Sequence, residues 1–209
     1  MLNMNWLRPL LFLWILSFAP SLLQGAAAQV YFSPQDKISE RLIELIEKEK
    51  KQILIAVYCF THRGIADALI QAKRRGVVVD VIVDPFTLKS RMACAKLKQA
   101  SVGISVWDAG LMVPATNGKE ARKRARRPLM HDKFCVFGDN LVWTGSFNFT
   151  YDATDFHREN VVVIEDREVA GRYVQQFYDI KRQAGRSYEE YLACHPRRKK
   201  NVLDALNRR

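Results

Sequence analysis

The sequence predicts an α/β fold, with a mixed and mostly parallel sheet sandwiched between helices. Two observations lead there. From Gln29 onward, short apolar runs of strand length alternate with longer stretches of helical period. One strand–helix–strand unit, from Ile53 to Val83, has the length and punctuation of a right-handed parallel crossover. At 209 residues, 48% of them hydrophobic and 26% charged, the chain is long enough for one well-packed domain and short for two.

Val30 to Phe32 reads as a short strand. Ser33-Pro34-Gln35-Asp36 then reads as a helix start, with Ser33 as N-cap, a proline at the first helical position and an acid in the first turn. Ile38, Leu42, Leu45 and Ile46 give that helix one apolar face. Ile53 to Tyr58 is a buried strand. A second helix runs from Gly64 to Arg75 and ends at Gly76, and Val77 to Val83 forms the next strand before Asp84-Pro85 breaks it. A third helix, Leu88 to Gln99, leads to a strand at Ile104 to Trp107. After a polar, irregular stretch from Asp108 to Pro128, strands at His131 to Phe137 and Leu141 to Thr144 are joined through Gly138-Asp139-Asn140, a turn signal. A strand at Asn160 to Glu165 and a helix from Arg167 to Arg182 close the domain. No internal repeat is visible.

The two ends differ from this body. Met1 to Ala28 holds one base (Arg8), no acid, an apolar run from Leu10 to Leu23, and Gly25-Ala26-Ala27-Ala28, which is the order of a cleavable secretory signal peptide. An uncleaved anchor is the rival reading, but about 14 apolar residues interrupted by Pro20 fall short of the roughly 20 that span a bilayer. Cleavage near Ala28 leaves a domain over residues 29–195 and a basic tail over 196–209, and predicts a periplasmic or secreted protein. Removing residues 1–28 takes one base and no acid, so the net charge falls only from +11 to +10.

That charge points to a polyanionic partner, either nucleic acid or an anionic lipid surface. The run from Lys119 to Arg127 concentrates it. Such a run is often only a solvated segment, but this one lies immediately before the residues described next. Arg122, Lys123, Arg124, Arg126 and Arg127 are therefore candidate substrate-binding residues. The tail, with Arg197-Arg198-Lys199-Lys200, is either a loose appendage or a second polyanion contact. Cys59, Cys94, Cys135 and Cys194 stand in no metal-ligand spacing. Their pairing is open, and Cys59 and Cys135 lie inside apolar runs that suit buried free thiols.

Residues two apart on a strand share a side, so His131 and Lys133 present an imidazole and an ammonium together. A lone His-x-Lys would read as surface polarity. Here Gly145-Ser146-Phe147-Asn148 follows at the end of the next strand, and the hairpin returns the hydroxyl and the amide beside the imidazole.

These residues resemble the HxK...GSxN signature of the phospholipase D superfamily, and especially its small, single-motif bacterial endonucleases of the Nuc type. Tyr58-Cys59-Phe60-Thr61, Lys73-Arg74-Arg75-Gly76-Val77 and Arg158-Glu159-Asn160-Val161-Val162 are similar to the family's pattern as well, so the resemblance spans nearly all of the mature chain. One departure stands out. The family writes HxKxxxxD, whereas Gly138 fills that last position here and Asp139 comes one residue later. The change falls in the turn, so it bears on hairpin rigidity more than on the reacting atoms.

The resemblance implies an α-β-α fold and a phosphodiesterase, and elementary chemistry agrees. A phosphodiester's charge repels nucleophiles, so catalysis needs cations on the nonbridging oxygens, a strong nucleophile and an acid for the leaving oxygen. His131 supplies the nucleophile and Lys133 the charge, while Asn148 and Ser146 donate hydrogen bonds to the phosphoryl group. Glu159, by its match to the family, orients and charge-balances an imidazole. A second imidazole must protonate the leaving alkoxide, yet His62, His157 and His195 have no His-x-Lys setting. Single-motif members resemble half of a two-motif molecule, which implies a homodimer sharing one site on its two-fold axis.

No HExxH or clustered carboxylate set appears, so neither metal nor cofactor is expected. His62 and His157 read as polar surface or supporting residues, and Asp80 and Asp84 as structural. Phe60, Trp107 and Tyr151 are candidates for base stacking, although such aromatics more often serve the core. Three functions follow in order of preference. They are a nonspecific nuclease acting on DNA, RNA or both, a phospholipid hydrolase whose basic loop meets anionic phospholipid, and a nucleic-acid-binding protein whose chemistry has lapsed.

Overall fold

A computed structural model describes residues 27–89, 92–108 and 128–196. Residues 1–26 of the expected signal peptide, the basic run with Arg122, Lys123, Arg124, Arg126 and Arg127, and the tail beyond Pro196 lie outside the described residues. The elements run β1 (Ala27–Phe32), α1 (Ile38–Lys48), β2 (Gln52–Val57), α2 (Arg63–Arg74), β3 (Val78–Val83), a 3₁₀ turn (Pro85–Lys89), α3 (Met92–Gln99) and β4 (Gly103–Trp107). They continue β5 (Lys133–Phe137), β6 (Leu141–Gly145), α4 (Tyr151–Asp155), β7 (Asn160–Glu165), α5 (Arg167–Ala184), β8 (Gly185–Ser187) and α6 (Tyr188–Cys194).

The eight strands form one sheet in the order β1-β7-β6-β5-β2-β3-β4-β8. Alternation along each strand sorts side chains between two cores. Ile53, Ile55 and Val57 of β2 face one core, shared with Ile38, Leu42 and Ile46 of α1 and with apolar residues of α2, α3, α4 and α6. Leu54 and Ala56 face the other, which α5 covers with Ala170, Phe177 and Ile180. The α/β sandwich is therefore as expected, but the sheet is not mostly parallel. Among the described strands, β2–β3 and β3–β4 pair in parallel, while β1–β7, β7–β6, β6–β5, β5–β2 and β4–β8 are antiparallel. The reason is connectivity: the tight turn after β5 reverses the chain, the connection from β6 through α4 to β7 returns on the same side and reverses it again, and only the crossovers through α2 and α3 make parallel neighbours.

Two helix boundaries also differ from expectation. Ser33 does not cap α1, which begins at Ile38 after Lys37 in the left-handed region, at φ 49°. The 33–36 turn is closed by Asp36, whose carboxylate accepts the Phe32 N–H at 2.8 Å, and the Ser33 side chain turns to a segment 124 residues away. The third helix splits into the 3₁₀ turn and α3. β8 and α6, unanticipated, close the far sheet edge. Ser187 and Glu190 form a reciprocal capping box that starts α6, a Ser-x-x-Glu signal present in the sequence. All four cysteines are free, with Cys94 and Cys135 buried, Cys59 half-buried and Cys194 exposed.

Gly138 sits at φ +57°, in the left-handed region that glycine adopts without strain. Its N–H donates to the Gln52 carbonyl at 2.9 Å and its own carbonyl accepts from the Gln52 amide at 2.8 Å. A Cβ at this position would lie 3.5 Å from the Glu49 carboxylate. A glycine thus relieves backbone strain and avoids a second acid beside Glu49, and this turn lies at the opposite end of β5 from Lys133.

Candidate active site

The site forms where the carboxyl ends of β2 and β6 meet the entrances of β5 and β7. Register requires it: Val57 pairs with Lys133 and Gly145 with Val161. Tyr58 N–H donates to the Asp132 carbonyl at 3.0 Å, and Asp84 accepts from Met130 N–H at 3.2 Å and Phe86 N–H at 2.8 Å, so the segment carrying His131 is fixed from two sides. Asp84 is structural, as the sequence reading had it. Asp80 likewise forms an ion pair with Lys181.

His131 precedes β5 and is exposed, whereas Lys133 opens the strand and is buried. The Lys133 ammonium lies 3.2 Å from His131 Nδ1, donates to the His131 carbonyl at 2.7 Å, and stands 5.3 Å from the centre of the Tyr58 ring. Tyr58 packs against the imidazole at 4.6 Å and against Phe86 at 5.1 Å. An ammonium has only donors, so a hydrogen bond at this contact uses Nδ1 as acceptor and leaves the ring proton on Nε2; attack by Nε2 requires the other tautomer, and hence that Lys133 release Nδ1.

Burial lowers the Lys133 pKa below the ordinary lysine value, and the negative charges of Asp132 and Glu159 oppose this less strongly. With the folded-state pKa below the unfolded one, the unfolded chain binds more protons. Lys133 therefore costs stability at neutral pH, and the cost fades as pH rises from the lowered value toward 10.5. Lys133→Met is expected to abolish turnover, and its stability relative to wild type should fall as pH rises from neutrality into alkali, because only the wild type gains stability over that range. Thermal unfolding across that pH range checks it.

Beside this pair, Ser146 donates to Glu159 Oε2 at 2.5 Å and accepts the Asn160 N–H at 3.0 Å. Its proton is engaged by Glu159, so the hydroxyl holds the acid rather than offering a hydrogen to phosphate. Glu159 lies 3.8 Å from His157 Nδ1, and its charge acts on Lys133. It touches Ser146 and His157 within the chain rather than His131. Asn148 follows in the same turn, with its buried Oδ1 unpartnered among the described residues. The Phe149 backbone ties this turn to β2's extension: Phe149 N–H donates to the Cys59 carbonyl, and Thr61 and His62 N–H donate to the Phe149 carbonyl.

The remaining candidates separate. His62 is buried, caps α2 by accepting the Ile65 N–H at 3.2 Å, and stacks on Tyr151. Phe60 and Trp107 are core, which removes them as stacking surfaces, while Tyr151 stays exposed. Among the described residues no three His, Cys, Asp or Glu side chains gather as a metal ion would need. Sequence reasoning missed Tyr58 as a wall of the site, although it stands in the quoted Tyr58-Cys59-Phe60-Thr61, and it missed Ser33.

A family model described as "Cardiolipin synthase, PLD-like domain" matches residues 42–181. The chain is similar to a phospholipase D of Rickettsia prowazekii, 30% identical over 151 residues, which cover 72% of this chain and 65% of that one. It is also similar to a mitochondrial cardiolipin hydrolase of Xenopus tropicalis, 29% identical over 143 residues, 68% of this chain and 60% of that one. The chain thus spans just under two thirds of the length of these curated relatives. Among solved structures, the phospholipase D family member Nuc from Salmonella typhimurium superposes with a TM-score of 0.65 at 28% identity, covering 78% of this chain and 99% of that one. With a family model matching most of the described fold, and with HxK and GSxN gathered at one end of the sheet, the chain belongs to the phospholipase D superfamily of phosphodiesterases.

Proposed function

We propose that the chain is an exported, metal-independent endonuclease that hydrolyses DNA, RNA or both through a phosphohistidine at a site shared by two copies. The observation that carries this reading is the contact of His131 with Lys133 beside the Ser146–Glu159 pair, in a chain of net charge +11 with a single His-x-Lys. His131 Nε2 of one copy attacks phosphorus, the P–N bond forms and the P–O bond to the leaving nucleoside breaks. The partner's imidazole gives its proton to the departing oxygen. Water then attacks phosphorus, delivers a proton to that imidazole and releases His131. Lys133 neutralises charge on the nonbridging oxygens throughout.

A second copy would supply the second imidazole from its own His131: within the chain His62 and His195 are held elsewhere, by the α2 cap and by Tyr191, and His157 faces Glu159 without a lysine two residues on. Exposed apolar side chains flank the site on the segments that build it: Leu129, Tyr151, Phe156 and Phe86. A second copy would cover them.

A phospholipid-hydrolase reading has its own support. Relatives named phospholipase D and mitochondrial cardiolipin hydrolase match 72% and 68% of this chain, and the same apolar rim would suit a bilayer surface. Cleavage assays in excess EDTA on single-stranded DNA, duplex DNA, RNA and cardiolipin vesicles separate the two. Nucleic acid is expected to be cut, with apparent affinity falling about 100-fold between roughly 50 and 200 mM salt. Cleavage of lipid alone would reverse the substrate assignment. Binding of nucleic acid with no cleavage would support a lapsed enzyme.

A further inference from the structure

Glu159 lies in the irregular stretch between α4 and β7, outside the strand ladder, and its backbone has one anchor. The Glu159 N–H donates to Ser33 Oγ at 3.0 Å, and the Glu159 carbonyl accepts the Ser33 N–H at 3.0 Å. The same hydroxyl donates to the His157 carbonyl at 2.8 Å. Ser33 is 1% exposed. One small side chain thus ties down both ends of the 157–159 turn from the end of β1, which pairs with β7 as far as Phe32 and Asn160. Glu159 in turn holds Ser146 at 2.5 Å.

We propose that Ser33 is a positioning residue for catalysis. It fixes the Glu159 backbone so that the carboxylate meets Ser146 and acts on Lys133, and it thereby makes the N-terminal strand part of the active site. The inference rests on the role given to Glu159 above. A serine fits because the task needs one oxygen that both donates and accepts at a buried position. Removing it leaves two backbone groups of the site turn without partners, which loosens the turn rather than the core.

The test is a double-mutant cycle on bis(4-nitrophenyl) phosphate, a phosphodiester that favours neither nucleic acid nor lipid recognition. Ser33→Ala is expected to lower kcat about 10-fold with KM nearly unchanged. In the Glu159→Gln background the same change should alter kcat by no more than about twofold, because its effect passes through Glu159. Ser33→Cys keeps the shape with a somewhat larger atom that bonds weakly, so it should also be slow, and it reads the same effect if the alanine variant fails to fold. Equal loss of kcat in both backgrounds would mean a merely structural role and overturn the inference. So would a Ser33→Ala enzyme as fast as wild type beside a slow Glu159→Gln. A Glu159→Gln enzyme as fast as wild type would instead overturn the reading of Glu159, and the role of Ser33 with it.

Discussion

Replacing His131 with alanine is expected to lower phosphodiester turnover by about 10⁴-fold or more, with the fold and thermal stability unchanged. The size follows from the chemistry. If one imidazole forms the covalent bond and its mate protonates the leaving oxygen, alanine removes both functions from the shared site at once. Stability is largely spared because His131 is exposed and precedes β5, its ring meeting Tyr58 and the Lys133 ammonium at the surface of the site. Steady-state kinetics on one substrate, with thermal unfolding on the same preparation, checks both halves. A variant within tenfold of wild type would mean that His131 is not the nucleophile.

The second large effect is on the fold. Gly145→Ala is expected to destabilise the protein by about 3 kcal/mol or more, which for a single domain is a large share of total stability. β6 and β7 approach so closely here that a Cβ on residue 145 would fall 2.1 Å from the Asn160 carbonyl oxygen and 2.9 Å from Val161 Cα. Both are backbone atoms at the start of β7, where it pairs with the end of β6, so the strands must separate, and Ser146 then loses Asn160 and Glu159 together. Gly171→Ala is the control: nothing lies within 4 Å of its Cβ, it sits inside α5, and it should stabilise by about 0.5–1 kcal/mol. Denaturant melts of the two variants, with opposite signs, test whether the glycine of GSxN is there for close approach.

What was legible in the sequence follows from the range of the interactions involved. β2 and β7 were placed within a residue or two because continuous apolar runs declare themselves. His131 and Lys133 were paired correctly because two-residue spacing is a local property. The same holds for the turn at Gly138 and for the helix Arg167–Ala184. Strand direction was not legible, since it depends on which distant strand accepts each hairpin, and the one crossover recognised in the sequence was extended too far. Ser33 was misassigned because a Ser-Pro-x-Asp sequence carries a local capping signal, while its actual partners at residues 157 and 159 are remote. Ser146 shows the same limit. Its spacing brings it to the site, but only the geometry reveals that its proton is held by Glu159.

The most direct test of a histidine phosphodiesterase is to trap its intermediate. Protein with residues 1–28 removed is mixed with a labelled phosphodiester in single-turnover amounts, quenched in alkali within the burst, digested and mapped by mass spectrometry. The expected result is a phosphoryl adduct on the peptide carrying His131, stable to base, labile to acid, and missing from His131→Ala. Turnover of the substrate with no adduct at any time, or with the adduct on another histidine, would contradict the assignment of His131 as the nucleophile.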